Sequence, residues 1–374
     1  MSAATQPAPE PRHFGSGWIS GTVSIFLGAL AVGGVLCFWF PSVLTTPELR
    51  AIYPMHMVRF LVQSVILGAF VMGMISVVLR KSKLLGLAGA ALATLAVLMG
   101  GAQVPVEGPV QRSNFLGLDW FLLNLLLLAL IFVPMERLFA RLKDQKTLRP
   151  NWTTDLAHFF SSHLLIQVTA FLTLLPATVF FRWLVNPKVQ EFVAAQPAVL
   201  QFMEIVLLAD MTEYWVHRLF HKVPFLWRFH AIHHSAQHMD WLAGSRLHFV
   251  DIVLTRGLTF VPLFVLGFAA APLYFYLVFV SFHAVFIHAN VGFDFGRLEK
   301  WVVTPRFHHW HHAAAREAID KNFAVHLPFI DRWFGSHYLP PAAWPAQYGI
   351  EGNPVPESYA KQWTAPFRRT SHGG

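Results

Sequence analysis

The stretch HRLFHKVPFLWRFHAIHH, His217 to His234, joins the end of a long apolar segment to a dense group of histidines. It contains an HxxxH motif, His217 and His221, followed by an HxxHH motif, His230, His233 and His234. On an α-helix, residues three or four positions apart lie within about 100° of arc, so each motif presents its imidazoles from one helix face. Because neutral imidazole is a common ligand of iron and zinc, this stretch predicts helices that carry metal ligands.

A second HxxHH motif occurs about eighty residues later. The segment TPRFHHWHH, Thr304 to His312, contains His308, His311 and His312 in the same spacing. A single metal ion does not usually accept eight histidines, so the matched motifs predict a site for two metals. A lone histidine on an apolar face is more often a core residue. A repeated motif beside membrane spans does not fit that explanation, because buried polar groups there are costly.

The composition of the chain predicts an integral membrane protein. Of its 374 residues, 55% are hydrophobic and only 13% are charged, whereas soluble domains contain about 25% charged residues. The net charge of +8 is typical of the Lys and Arg excess in cytosolic membrane loops and does not call for a nucleic acid partner. The one cysteine, Cys37, lies in an apolar run, which excludes disulfides and thiolate metal sites.

Seven apolar stretches are long enough to cross a bilayer, which takes about 20 helical residues. Six of them predict single spans. The seventh is nearly twice as long and contains Gly267 and Pro272, so it predicts a helical hairpin that either crosses fully or is re-entrant. The stretches are residues 18–40, 57–79, 84–104, 117–135, 155–183, 197–216 and 252–290. They predict an all-α fold, a multi-pass transmembrane helical bundle with a histidine-rich metal-binding cap.

Basic loops predict the orientation of the bundle. The RKSK segment, Arg80 to Lys83, and the basic segment 137–149 are separated by two spans, and both favour the cytosol. The later spans then return the chain to the same side after 197–216 and again after the hairpin. The histidine motifs, and His288 after the hairpin, are therefore predicted on the cytosolic side of a bacterial inner membrane or an ER-type membrane.

The distribution of histidines predicts how the chain is divided. Residues 1–147 hold two of the twenty histidines, whereas residues 217–326 hold fourteen. We predict a disordered tail at residues 1–14 and an N-terminal transmembrane region of four spans at residues 15–147. A catalytic domain is predicted at residues 148–340 and a C-terminal tail at residues 341–374.

Longer segments around the motifs resemble the fatty acid hydroxylase / sterol desaturase superfamily. They are DMTEYWVHRLFHKVPFLWRFHAIHHS, Asp210 to Ser235, and FIHANVGFDFG, VTPRFHHWHH and KNFAVHLPFIDRWFG within Phe286 to Gly335. The resemblance covers about residues 150–340. It implies a non-haem di-iron oxygenase whose metals lie under a transmembrane bundle.

The resemblance also implies a set of metal-binding and catalytic histidines. These are His217, His221, His230, His233, His234, His288, His308, His311 and His312. Related enzymes often have a further ligand four residues before the one in the intervening helix, where this chain has Ala284. His283 is a tenth candidate, although five residues from His288 is about 140° around a helix. No ligand role is predicted for the neighbouring His238, His248 and His309.

The implied activity is hydroxylation of a lipid or lipid-like substrate at an unactivated C–H bond, using O2. The cofactors are two iron ions, with zinc as a substitute in purified protein. Electrons come from an external donor such as a ferredoxin or a cytochrome b5-like system, since the chain has no haem, flavin or iron–sulfur motif. A desaturase of the same superfamily stays open. A metal transporter is disfavoured, because its ligands would lie at mid-membrane on broken helices rather than at span ends.

Overall fold

The computed structural model describes residues 15–106, 115–164, 172 and 176–368, and these residues are helical or lie in loops. The predicted all-α fold is confirmed. In the described ranges, β-pairing is limited to two isolated bridges, Ala140 with Val291 and Ala313 with Tyr348. The predicted tail at residues 1–14 lies outside the described residues. The chain divides into two compact units, Met1–Leu126 and Leu127–Gly374.

Three long apolar helices build the first unit. They are α1 (Trp18–Trp39), α4 (Met55–Leu79) and α5 (Leu84–Leu98), with the short helices α2 (Pro41–Leu44) and α3 (Pro47–Ile52) between α1 and α4. A Cβ atom on Gly89 would lie 2.5 Å from the Cβ atom of Ser24, so glycine is needed where α1 and α5 approach. Ser24 Oγ also donates to Ala69 O of α4 at 2.6 Å. Small residues and hydroxyl bonds of this kind are typical of helices packed in a membrane.

By length and composition, five helices in the described residues qualify as membrane spans. They are α1, α4, the segment Leu84–Gln103, α6 (Leu118–Leu138) and α11 (Phe249–Leu266). A sixth candidate is formed by α8 (Pro187–Ala194) and α9 (Ala198–Lys222), which are bent by 119° relative to each other. The predicted stretches 18–40, 57–79, 84–104, 117–135 and 197–216 each overlap one of these helices. Predicted span 155–183 begins as α7 (Trp152–Leu164), and residues 165–171 and 173–175 in its middle lie outside the described residues.

The predicted hairpin 252–290 consists of α11 and α12 (Ala270–Phe286). Its turn is at Gly267, whose positive φ of 70° lets its N–H cap Leu263 O at the end of α11. Both arms pack on α9, through buried apolar residues such as Ile205, Leu263 and Tyr276. The hairpin and α9 therefore share one hydrophobic core, and histidines lie at the ends of these helices.

Two prolines start the helices that bear the HxxHH motifs. A residue before proline is held in extended backbone, and Val223 and Thr304 both have this conformation. Helices α10 (Pro224–His234) and α13 (Pro305–His311) follow, each with proline at its first position. Val223 thus ends α9 just after the HxxxH motif and turns the chain into the first HxxHH motif. The short helices α14 (Phe329–Trp333) and α15 (Tyr359–Thr364) come later.

Candidate metal centre

Nine histidines meet in two clusters. One ring nitrogen of each residue lies within 4.8 Å of the corresponding nitrogens of all other members of its cluster. The five-histidine cluster consists of His217, His221, His230, His234 and His311. The four-histidine cluster consists of His233, His288, His308 and His312. All are buried except His221, which is partly buried. The structure therefore brings together nine of the ten histidines proposed from the sequence.

Each HxxHH motif contributes to both clusters. The first motif places His230 and His234 in the five-histidine cluster and His233 in the four-histidine cluster. The second motif does the reverse: His308 and His312 belong to the four-histidine cluster, and His311 belongs to the five-histidine cluster. The clusters are consequently adjacent. In one contact between them, the rings of His234 and His312 stack with centroids 4.5 Å apart.

Backbone and carboxylate oxygens fix the tautomers of five clustered histidines. An oxygen without a hydrogen can only accept, so the Nδ1 atom that faces it carries the proton and Nε2 keeps its lone pair. The Nδ1 donors and their acceptors are His217 to Phe323 O (2.8 Å), His230 to Asp251 Oδ2 (2.7 Å), His233 to Arg246 O (3.2 Å), His288 to Ala284 O (2.6 Å) and His311 to Lys321 O (2.8 Å). Bonds of this kind orient histidines that ligate metals.

In the five-histidine cluster, these tautomers leave lone pairs on Nε2 atoms that face each other. His217 Nε2 lies 2.9 Å from His230 Nε2, although both rings already hold their proton on Nδ1. Two lone pairs at this distance repel unless a cation lies between them. His311 Nε2 is buried with no hydrogen-bond partner among the described residues. Nitrogens about 2.1 Å from one metal ion and at right angles would be about 3 Å apart, so this cluster fits a metal ion.

The four-histidine cluster also has Nε2 lone pairs that face each other at a distance that fits a bound metal ion. The Nε2 atoms of His233 and His288 are 3.3 Å apart, and both residues carry their proton on Nδ1. His308 Nε2 approaches His288 Nε2 to 3.0 Å. Within the described part of the chain, the Nδ1 atoms of His308 and His312 are buried and unpartnered. This nitrogen-only donor set also suits a borderline metal such as iron or zinc.

Burial keeps five of the clustered imidazoles in the form that binds metal. Removal from water lowers the pKa of His233, His234, His308, His311 and His312 well below the ordinary value of 6.5, and repulsion from neighbouring histidines lowers it further. Neutral imidazole has the free lone pair that a metal needs. These five imidazoles are therefore neutral, and able to bind metal, at neutral pH.

Acid is expected to destabilise the metal-free protein. Below about pH 6.5 these histidines take up protons in the unfolded chain, whereas their lowered pKa keeps them neutral in the folded protein. The unfolded state then binds more protons, so folding stability falls as the pH drops below 6.5. Thermal melting of chelator-treated protein in detergent should show Tm falling progressively from pH 7 to pH 5. An unchanged Tm over this interval would contradict the burial of neutral imidazoles.

Two carboxylates outside the histidine motifs contact the five-histidine cluster. Asp251 in the first turn of α11 accepts from His230 Nδ1 and also from Thr255 Oγ1 at 3.1 Å. Asp320 lies 3.4 Å from His221 Nδ1 and pairs with Lys222 at 2.5 Å. The spacing of the histidine motifs gave no reason to single out Asp251. The sequence feature that could have indicated its role is its position as a lone acid at the start of an otherwise apolar span.

The tenth candidate, His283, lies outside both clusters. Its Nε2 donates to Val303 O at 3.0 Å, and its Nδ1 lies 3.0 Å from His326 Nδ1. The physical reason is that His283 lies within α12, whereas His288 lies in the turn beyond the end of that helix at Phe286. The structure therefore does not bring His283 to the metal centre.

The other histidines near the motifs bind protein groups. His309 accepts from Tyr348 OH at 2.9 Å and donates from Nε2 to His288 O at 3.3 Å, so it supports a clustered histidine through its backbone. His248 caps α11 by accepting from Val250 N, and it contacts Trp363 O. His238 belongs to neither cluster.

Gly244 leaves the space that His288 occupies. A Cβ atom at this position would lie 2.8 Å from His288 Nδ1 and 3.3 Å from Ala284 O, the acceptor of that nitrogen. We expect Gly244→Ala to displace the His288 ring and lower metal affinity by about tenfold, as for other changes beside metal ligands. Titration with a chelator measures the loss, and Ser245→Ala serves as the matched control. Equal metal affinity in Gly244→Ala and wild type would refute this role.

Comparisons with known proteins found one matching family and several similar proteins. Residues 202–336 match the fatty acid hydroxylase family. The ornithine lipid hydroxylase OlsE of Rhizobium tropici is 32% identical over 174 residues, which are 46% of this chain and 52% of that protein. The alkylglycerol monooxygenase of Homo sapiens is 32% identical over 130 residues, 34% of this chain and 28% of that protein. Methylsterol monooxygenase 1-3 of Arabidopsis thaliana is 28% identical over 163 residues, 40% of this chain and 50% of that protein.

No solved structure matches the chain. The matched regions span about half of the ornithine lipid hydroxylase and less of the alkylglycerol monooxygenase. All nine clustered histidines nevertheless fall inside the residues that match the family. The match to the fatty acid hydroxylase family therefore covers residues 202–336, the part of the chain that contains both histidine clusters.

Proposed function

We propose that this protein is a membrane-embedded di-iron oxygenase that hydroxylates a lipid or lipid-like substrate at an unactivated C–H bond, using O2 and external electrons. The observation that carries the proposal is the pair of adjacent all-histidine clusters, in which protonated Nδ1 atoms leave Nε2 lone pairs facing each other. The relatives named above as lipid hydroxylases and monooxygenases support it.

Each cluster would hold one metal ion through its ε nitrogens, and all nine histidines would be ligands. Two bound iron ions would supply the activation of O2 that side chains alone do not provide. Zinc prefers the same nitrogen donors, so it can replace iron in purified protein. The chain itself contributes orientation: carbonyl and carboxylate acceptors lock five of the imidazoles, and burial keeps the ligands away from water.

The helices around the clusters suit an apolar substrate. Helix α9 and the hairpin pack together through buried apolar residues such as Ile205, Leu263 and Phe268. The outer surfaces are apolar as well, since Val199 of α9 is 77% exposed and Phe275 of α12 is 75% exposed. Side chains of this type face lipid tails in a membrane. A lipid chain would reach the metal centre laterally from the bilayer.

The remaining features follow from the same proposal. The clusters lie on the cytosolic side of a bacterial inner membrane or an ER-type membrane, as the basic loops predict. There an external donor, a ferredoxin or a cytochrome b5-like protein, delivers the electrons. The division into a transmembrane region at residues 15–147, a catalytic domain at residues 148–340 and a C-terminal tail at residues 341–374 also stays a prediction.

Comparative lipid mass spectrometry tests this function. Cells that express the chain are compared with cells that express its His308→Ala variant, both grown under isotopically labelled dioxygen. We expect a lipid that gains the mass of one labelled oxygen atom only with the wild-type chain. A lipid that instead loses two hydrogens would identify a desaturase. Identical lipid profiles together with altered cellular metal uptake would favour a transporter and refute the proposal.

A further inference from the structure

A carboxylate outside the family match accepts hydrogen bonds from two loops that contact the four-histidine cluster. Glu136 lies in the last turn of α6, sixty-six residues before residue 202, where the family match begins. Its Oε1 atom accepts hydrogen bonds from Trp241 N at 2.8 Å and from Asn290 N at 2.9 Å. Trp241 belongs to the loop between α10 and α11, and Asn290 belongs to the turn that follows α12. One oxygen atom therefore joins two backbone segments that are far apart in sequence.

Both of these segments position members of the four-histidine cluster: the turn contains His288, and the loop contacts His288 and His233. Asn290 is two residues beyond His288, in the same turn. The Trp241 loop continues to Gly244, which packs on the His288 ring, and to Arg246, whose carbonyl oxygen accepts from His233 Nδ1. A shift of either segment would move His233 and His288 relative to each other. The Nε2 atoms of these two residues are the ones that face each other at 3.3 Å.

The chain just after α6 reinforces the same turn. Asn290 Oδ1 accepts from Leu142 N at 2.9 Å, and Asn290 Nδ2 donates to Leu142 O at 3.1 Å. Gly292 N donates to Phe139 O at 2.8 Å, beside the β-bridge between Ala140 and Val291. The end of α6 and residues 139–142 therefore form a cradle for the turn that carries His288.

The five-histidine cluster takes its support from other parts of the chain. The Nδ1 atoms of His217 and His311 donate to Phe323 O and Lys321 O, and His230 donates to Asp251. These acceptors lie in the loop after α13 and in α11. Loss of Glu136 should consequently affect the two clusters unequally.

We propose that Glu136 is a positioning residue that selectively organises the four-histidine cluster, a role that rests on the proposed di-metal function. Its carboxylate fixes the spacing between the loop whose Arg246 carbonyl accepts from His233 and the turn that carries His288, before metal binds. Removing this acceptor leaves two buried amide N–H groups unpaired, which favours movement of both segments. Glutamine at this position keeps an oxygen of the same reach, so Glu136→Gln should preserve most of the function.

Metal content per purified chain tests the proposal. We expect Glu136→Ala to lower bound metal to about half of the wild-type value, because only one of two sites is disturbed. Glu136→Gln should retain nearly the wild-type content. Asp144→Ala, which removes an exposed acid eight residues later, is the matched control and should bind as much metal as wild type.

Double variants identify which site is lost. His308→Ala removes a ligand of the four-histidine cluster, so adding Glu136→Ala should lower its metal content no further. His311→Ala removes a ligand of the five-histidine cluster, so adding Glu136→Ala should leave almost no metal. Full metal content in Glu136→Ala, or an equal loss in both double variants, would overturn the inference alone. Wild-type protein that binds no metal would overturn the proposed function, and the inference with it.

Discussion

Replacing His311 by alanine is expected to abolish hydroxylation, with activity reduced by about a thousandfold or more. His311 is held by Lys321 O through Nδ1, and its buried Nε2 faces the five-histidine cluster without a hydrogen-bond partner in the described chain. Its ring centroid lies 4.4 Å from that of His217 and 4.6 Å from that of His234. Loss of this nitrogen would leave the metal ion proposed for this cluster without one of its five ligands.

The measurement is lipid hydroxylation in membranes that contain equal amounts of wild-type or variant protein. His337→Ala provides the control, because His337 is a partly buried histidine that belongs to neither cluster. We expect this variant to retain activity close to that of wild type. More than a tenth of wild-type activity in His311→Ala would show that the five-histidine cluster is not required.

Replacing Asp251 by alanine is expected to lower metal affinity by about 10- to 100-fold. Asp251 accepts the Nδ1 proton of His230 at 2.7 Å and so keeps Nε2 of that ring directed at the cluster. Without the carboxylate, the ring loses both its orientation and the tautomer that binds metal. Asp251→Asn keeps an oxygen acceptor of similar size and should therefore lose less metal affinity than Asp251→Ala.

A chelator titration that follows metal release measures the effect of Asp251→Ala. Asp320→Ala is the appropriate comparison, since Asp320 lies farther from its histidine, at 3.4 Å from His221 Nδ1, and also pairs with Lys222. We expect its effect to be the smaller of the two. The role assigned to Asp251 would be wrong if Asp320→Ala released metal more readily than Asp251→Ala.

Local spacing in the sequence was enough to predict most of the histidines that the structure brings together in the two clusters. The HxxxH and HxxHH motifs predicted eight histidines that the structure places in the clusters, whereas His283 lies within α12 and contacts Val303 O and His326. Spacing could not predict how the histidines of each HxxHH motif are divided between the two clusters. His233 lies in a different cluster from His230 and His234 because α10 and α13 meet so that each serves both clusters. That arrangement depends on tertiary packing.

The groups that support the ligands were not predictable in the same way. Asp251 is 21 residues from His230, and Glu136 is 154 residues from Asn290, so no helical or strand period connects them. The segment predicted as a C-terminal tail is another example. Gln362 Oε1 lies 2.7 Å from the buried His158 Nε2, a contact across 204 residues. Such pairs are set by the fold, and a single sequence carries no local signal for them.

The most direct measurement is the metal content of the wild-type chain, purified in detergent at pH 7.5 and analysed alongside its activity. Two adjacent histidine clusters predict about two metal ions per chain, iron in active protein and iron or zinc after purification. They also predict that activity follows iron occupancy when metal is removed and restored. Wild-type protein that hydroxylates its substrate while holding almost no iron or zinc would contradict a di-metal oxygenase.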